Sequence, residues 1–339
     1  MGRVVLVTGV SRDFGGRFAR RIATEPDVER VIGVDVVPPR ADLGGVAFVR
    51  ADIRNPVIAK VITGQDVDTV VHLSLQSSPG EAGGRASMKE HNVIGAMQLL
   101  AGCQMAPGLE RLVVKSSAAV YGSSSRDPAM FTEDLSAKKM PRAGYARDVL
   151  EVEGYVRGFA RRRPDVAVTT LRTAHTIGPA VRSPLTDYFR LPVVPTVLGY
   201  DARLQLLHEH DLLDVLRHAT LGGVHGTFNV AGAGILMLSQ ALRRLGRPSV
   251  PVPAIAFPSL GSLSRSAGVK ALHPDLAEVL TFGRGIDTRR MRSVLGFEPS
   301  YTTAEAFADF GRSVAPGLLT RPGTGRLADR ALTVGGRHG

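Results

Sequence analysis

The chain has 339 residues and a formal net charge of +11, with 44% hydrophobic and 22% charged residues. That composition belongs to a globular protein with a large core and excludes a disordered or fibrous chain. The single cysteine, Cys103, excludes an internal disulfide and a cysteine-based metal cluster.

The first apolar run, residues 4–8, reads as a strand and is too short for a signal-peptide core. No stretch approaches the roughly 20 apolar residues of a membrane span, so a cytoplasmic protein with no membrane partner is expected. Further strands are predicted over 31–34, 47–50, 69–73, 112–116 and 167–172. Between them lie helical stretches, the longest over 88–105 and 145–163. Ser87-Met88-Lys89-Glu90 has the spacing of a capping box for the first, and Pro164 closes the second. Alternation of this kind builds βαβ units and a parallel sheet, an α/β doubly wound fold of the Rossmann type.

Beyond Arg172 the rhythm loosens, broken by Pro179, Pro184, Pro192, Pro195 and the proline-rich run 248–258. Asp211 is expected to cap a helix over 212–220, and Thr302-Thr303-Ala304-Glu305 is a second capping box opening the last helix. Residues 1–172 therefore form the Rossmann domain, with later segments interleaved. Residues 173–319 form a smaller mixed substrate lobe, and 320–339 read as a disordered tail.

The positive charge points to no nucleic acid. Arg161-Arg162-Arg163 ends a predicted helix, where cations complement the helix dipole. The tail carries four Arg against one Asp, which is +3 of the +11.

After the first strand comes Gly9-Val10-Ser11-Arg12-Asp13-Phe14-Gly15, a glycine turn leading into a helical pattern. Such a turn lets backbone amides and a helix N-terminus hold a pyrophosphate. Asp35 ends the next strand, placed to accept hydrogen bonds from ribose hydroxyls and to repel a 2′-phosphate. NAD is the cofactor these residues predict.

Further segments carry a family resemblance. They are Asp52-Ile53, His72-Leu73-Ser74, Asn92-Val93-Ile94-Gly95, Ser116-Ser117-Ala118-Ala119-Val120-Tyr121-Gly122, Leu171-Arg172 with Gly178-Pro179, His208-Glu209-His210-Asp211, and Leu295-Gly296-Phe297-Glu298-Pro299. Together they resemble the extended short-chain dehydrogenase/reductase family, the NAD-dependent epimerases and dehydratases of nucleotide sugars. The resemblance runs from residue 4 to about 310 and points towards a UDP-glucose 4-epimerase-like branch. It implies that Gly9, Ser11, Arg12, Phe14, Gly15, Asp35, Asp52, Ile53, Leu73 and Ser74 hold NAD. A homodimer and a nucleotide-sugar substrate are its implied partners. The His208–Asp211 cluster matches a structural segment of the family, so no metal is expected.

Several departures stand out. Arg12 occupies a glycine position of the epimerase turn, where it either pairs with a phosphate or lies in solvent. In the family's chemistry a Tyr is the general base, a Ser/Thr hydroxyl orients it, and a Lys four residues after the Tyr lowers the phenol pKa. Ser117 and Tyr145 match the first two; the lysine position is Val149. Lys115, two residues before Ser117 on the same strand face, is either a substitute cation or a lysine packed at the sheet's rim. His175 stands where relatives place an Asn near the substrate. The usual phosphate-gripping Arg is Leu204, with Arg203 one position early. Two functions follow: an NAD-dependent epimerase or oxidoreductase with altered acid–base machinery, or a non-catalytic NAD-binding sensor or scaffold.

Overall fold

The computed structural model describes residues 2–79, 83–137, 141, 144–256 and 274–319, so the expected tail lies outside the described residues. Seven parallel strands form the central sheet: β1 (Arg3–Thr8), β2 (Val28–Asp35), β3 (Val46–Arg50), β4 (Thr69–His72), β5 (Arg111–Ser117), β6 (Ala167–Thr173) and a late strand (Gly226–Val230). Their spatial order places β3, β2 and β1 on one side, followed by β4, β5, β6 and the late strand. All six predicted strands are present. The chain reverses direction across the sheet between β1 and β4, and there the loops after both strands splay apart to open a crevice.

One face is covered by α1 (Asp13–Ile22) and α7 (Glu209–Gly222), with Phe18, Leu212, Val215 and Leu216 packed on Val5, Val7, Val113 and Leu171. On the other lie α2 (Val57–Gly64), α4 (Gly95–Gln104) and α5 (Gly144–Arg162). Here Val152, Val156 and Phe159 meet Leu112 and Val114. Successive β5 residues thus serve opposite cores, as strand alternation requires.

The helix predicted over 88–105 begins earlier, as α3 (Arg85–Lys89), and passes through a π turn (Glu90–Ile94) into α4. Ser87 therefore lies inside the helix and caps nothing; the chain enters through Gly84 at φ +119°. Asp211 also misses its expected capping role. The helix starts at Glu209, and His208 caps it by accepting from the His210 amide. Asp211 instead accepts from the Ser300 and Tyr301 amides at 2.7 and 3.1 Å, binding a loop far away in sequence. The capping box at Thr302 is formed as predicted.

The smaller lobe has β7 (His175–Ile177) paired with β10 (Leu206–His208), β9 (Arg203–Leu204) with β12 (Leu236–Met237), and β8 (Val194–Val197) with β13 (Ser249–Val252). Around them pack α6 (Pro184–Phe189), α8 (Leu238–Arg244), α9 (Pro274–Phe282) and α10 (Thr303–Arg312). Phe189, Phe307 and Phe310 form its aromatic centre. No helix among the described residues is long and apolar enough to cross a membrane.

Candidate functional site

A cavity of about 1520 Å³ runs along the C-terminal ends of the strands and under the smaller lobe. Its first wall is the glycine turn. Gly9 sits at φ +82°, and a Cβ there would lie 2.9 Å from the Ser74 Cα, so β1 and β4 touch backbone to backbone. A Cβ on Gly15 would lie 2.1 Å from the Gly9 carbonyl oxygen. Only glycine lets the first turn of α1 fold this tightly against the strand end. That helix starts after Arg12 with no side-chain cap, which leaves its first amides available to an anion.

Asp35 closes the same wall, accepting from the Ser11 and Val36 amides at 3.0 and 2.7 Å. A carboxylate has about four lone-pair sites, so two amides leave acceptor capacity for ribose hydroxyls. Gly9, Ser11, Arg12, Phe14, Gly15, Asp35, Leu73 and Ser74 all line the cavity. Asp52 and Ile53 do not. Asp52 is held by the guanidinium of Arg54, Nη2 at 2.7 Å, while Ile53 is buried where a Cβ on Gly95 would touch it. Arg54 and His91 take their place on the wall, unanticipated from sequence.

At the other end stand Ser117 and Tyr145. Ser117 ends β5 and accepts from the Ala119 amide at 3.2 Å, and its side chain is hydrogen-bonded to Tyr145. Burial pushes the Tyr145 phenol up to about 12; the Ser117 bond acts downwards and the Asp148 carboxylate upwards. Among the described residues, no lysine charge acts on it. Val149 is wholly buried in the core beside it. Arg147 faces away and pairs with Glu151 at 2.9 Å.

The start of the Tyr145 helix is clamped from outside the cavity. Arg85 binds both oxygens of buried Asp148, at 2.6 and 2.5 Å, and donates to the Gly144 carbonyl at 3.0 Å. Asn92, in the π turn, donates to Asp148 and brackets the Gln76 backbone by accepting from its amide and donating to its carbonyl. One network therefore fixes the loop carrying Ser74 and the helix carrying Tyr145.

Lys115 also lines the cavity, and burial lowers its ammonium pKa to about 8. His175 lines it too; burial, with Arg284 nearby, pushes its pKa to about 4, so the ring is neutral at pH 7. Its Nε2 is buried without a hydrogen-bond partner among the described residues. Arg203 is not on the main cavity. Its guanidinium donates to the Ala129 carbonyl at 3.2 Å, and its backbone packs on Gly283. Leu204 is buried in the lobe core. A further cation on the cavity is Arg284, which sequence reading missed. It lines the cavity and donates to the Gly122 carbonyl at 2.6 Å and Ser123 at 3.1 Å, and burial lowers its pKa to about 10. Its only sequence signal is the neighbouring Gly283-Arg284-Gly285.

The His208–Asp211 cluster is committed to packing. His208 stacks on Tyr301 at 3.8 Å and bonds Asp309 at 3.0 Å.

A sequence model of the NAD dependent epimerase/dehydratase family matches residues 5–194, and the chain belongs to that family. Among its relatives is the uncharacterized protein Rv0501 of Mycobacterium tuberculosis (strain ATCC 25618 / H37Rv). It is 51% identical over 345 residues, covering 99% of this chain and 92% of the relative. UDP-glucose 4-epimerase 2 of Oryza sativa subsp. japonica is 32% identical over 135 residues, 39% of this chain and 32% of the relative.

Similar folds include MoeE5 in complex with UDP-glucuronic acid and NAD, with a TM-score of 0.69, 20% identity, and 92% and 98% of the two chains covered. UDP-glucose-4-epimerase from Stenotrophomonas maltophila, with bound NAD and formylated UDP-arabinopyranose, has a TM-score of 0.69 and 20% identity, covering 98% and 100%. At such identity the likeness carries the fold. The family's cofactor is NAD, and the uncapped helix, the glycine turn and Asp35 fit it.

Asp35→Ala is expected to weaken NAD about ten- to a hundredfold, the value of one or two charge-assisted hydrogen bonds, while NADP changes less. Titration calorimetry checks this. Equal affinity of the unaltered protein for both cofactors would contradict it.

Proposed function

We propose that the chain is an NAD-dependent oxidoreductase of the epimerase type, acting on a nucleotide-linked sugar or a related alcohol with weakened proton abstraction. One observation carries this reading. The hydrogen-bonded Ser117–Tyr145 pair stands on the wall of the same cavity whose other end holds the glycine turn and Asp35. When bound, NAD supplies a hydride acceptor. Tyr145 would take the proton of the substrate hydroxyl while Ser117 orients it. Arg284 offers a charge to a substrate phosphate, and the unpartnered His175 Nε2 offers a neutral hydrogen-bonding group beside it.

The weakness follows from charge. A phenol near pKa 12 is deprotonated in about one molecule in 100,000 at pH 7, and no cation at position 149 corrects it. A second reading, an NAD-binding sensor, is favoured by the same buried Val149.

Turnover of UDP- and dTDP-linked sugars, followed by chromatography of the products, is expected to fall well below the enzyme median of about 10 per second. Val149→Lys is expected to raise it at least about tenfold and to move the pH optimum downwards, since an adjacent cation stabilises the phenolate. Turnover near the median in the unaltered protein would refute weakened abstraction. NAD binding with no turnover in either protein would favour the sensor.

A further inference from the structure

We propose that Lys115 acts on the cofactor rather than on Tyr145, its ammonium favouring the reduced nicotinamide over the oxidised one. The proposal rests on NAD occupying the cavity with its nicotinamide towards Ser117 and Tyr145. That orientation is required if the ring is to receive a hydride from a carbon whose hydroxyl Tyr145 reaches.

Strand alternation decides which partner Lys115 can serve. Leu112 and Val114 pack among the α4 and α5 side chains, and Ser116 donates to Glu153 of α5 at 2.5 Å. Val113 lies in the opposite core with α1 and α7. Lys115 shares the face of Val113 and Ser117 and therefore leaves β5 on the side away from Val152, Glu153 and Val156 of α5, although Val149 at the start of that helix joins the Val113 core. Tyr145 rides on α5 and reaches Ser117 only where the strand ends. The electrostatics agree: Lys115 is absent from the charges acting on Tyr145, and burial alone shifts the lysine.

The Lys115 side chain has no hydrogen bond or ion pair among the described residues. A cation drawn partly out of water without a counter-charge is costly, and this one lines the cavity that Ser117, Leu73 and Leu212 also line. It lies one strand step, about 6.5–7 Å, below Ser117, so the bound ring falls within its Coulomb range. Oxidised nicotinamide carries a positive charge and reduced nicotinamide none. Two unit charges roughly 8–10 Å apart at an effective dielectric of ~20 repel enough to change an affinity ratio about ten- to thirtyfold. Arg284 also carries a charge on this cavity, but it is the same in every variant compared below, so its field is common to them all.

The test measures NADH binding by fluorescence and NAD binding by calorimetry, and takes the ratio within each protein so that general damage to the site cancels. Lys115→Met and Lys115→Gln are both expected to lower the preference for NADH about tenfold or more. Tyr145→Phe should keep the unaltered ratio within about twofold. Thermal unfolding identifies a variant that fails to fold, and the other neutral variant then carries the result. An unchanged ratio in the folded Lys115 variants overturns the proposal, as does an equal shift in Tyr145→Phe. If the unaltered protein binds neither NADH nor NAD, the cofactor reading falls with it. If it binds both and only the ratio fails to move, the assignment of Lys115 alone falls.

Discussion

Gly15→Ala is expected to weaken NAD binding about ten- to a hundredfold while leaving the fold in place. The added Cβ would stand 2.1 Å from the Gly9 carbonyl oxygen and 3.3 Å from the Val10 Cα. Both are backbone atoms of the turn itself, so no flexible side chain can yield. The first turn of α1 must move away from β1, taking with it the amides that would face a pyrophosphate. Overpacking of this kind costs about 1–3 kcal/mol, and here the strain falls on the binding geometry rather than on the core. Calorimetric titration with NAD reads the loss. Gly108→Ala, where nothing lies within 4 Å of the new carbon, is the control and should change nothing. Unaltered NAD affinity in Gly15→Ala would mean that the cofactor does not depend on this turn.

Glu153→Ala should produce the largest loss of stability among side-chain truncations near the site, about 3–5 kcal/mol. Glu153 and Arg172 are 3% and 11% exposed in their side chains and meet at 2.8 Å. Glu153 also accepts from Ser116, and Arg172 donates to the Tyr121 hydroxyl, which donates in turn to Asn229. Removing the carboxylate leaves a guanidinium largely out of water with only neutral acceptors. At roughly 1.4 °C per kcal/mol for a chain of 339 residues, the midpoint of thermal unfolding should fall by about 4–7 °C. Arg289→Ala, which breaks an exposed pair with Asp287, should barely move it. The same network fixes the end of β5, so Glu153→Ala should also loosen Ser117. A midpoint unchanged within 2–3 °C would show that the pair is not what holds these elements.

The two ends of the cavity were unequally legible. The glycine turn and Asp35 are separated by one βα unit, and local rules of turn and strand place them together. Asp52 and Ile53 do not line the cavity, because Arg54, two residues on, holds the carboxylate and the isoleucine packs against Gly95. Neither partner is visible in the motif alone. Asp211 failed as a cap for a similar reason, since amides 89 and 90 residues away claim its oxygens.

The sequence by itself determined the parallel sheet and the placing of the glycine turn and Asp35 at neighbouring strand ends, which depend on periodicity and on residues close together in the chain. Ser117 and Tyr145 were singled out by the family resemblance. It also showed that position 149 lacks a cation. Only the tertiary structure decided which charges line the cavity near Ser117. Arg284 comes from beyond residue 280 to stand at the substrate end, and Arg203 turns its guanidinium to the Ala129 carbonyl. Lys115 was placed on the right strand face by sequence, but the side of the sheet taken by α5 is a matter of packing. That packing puts Lys115 on the side of β5 away from Val152 and Glu153 of α5, because a strand shows alternate residues to opposite layers and only the fold assigns the layers.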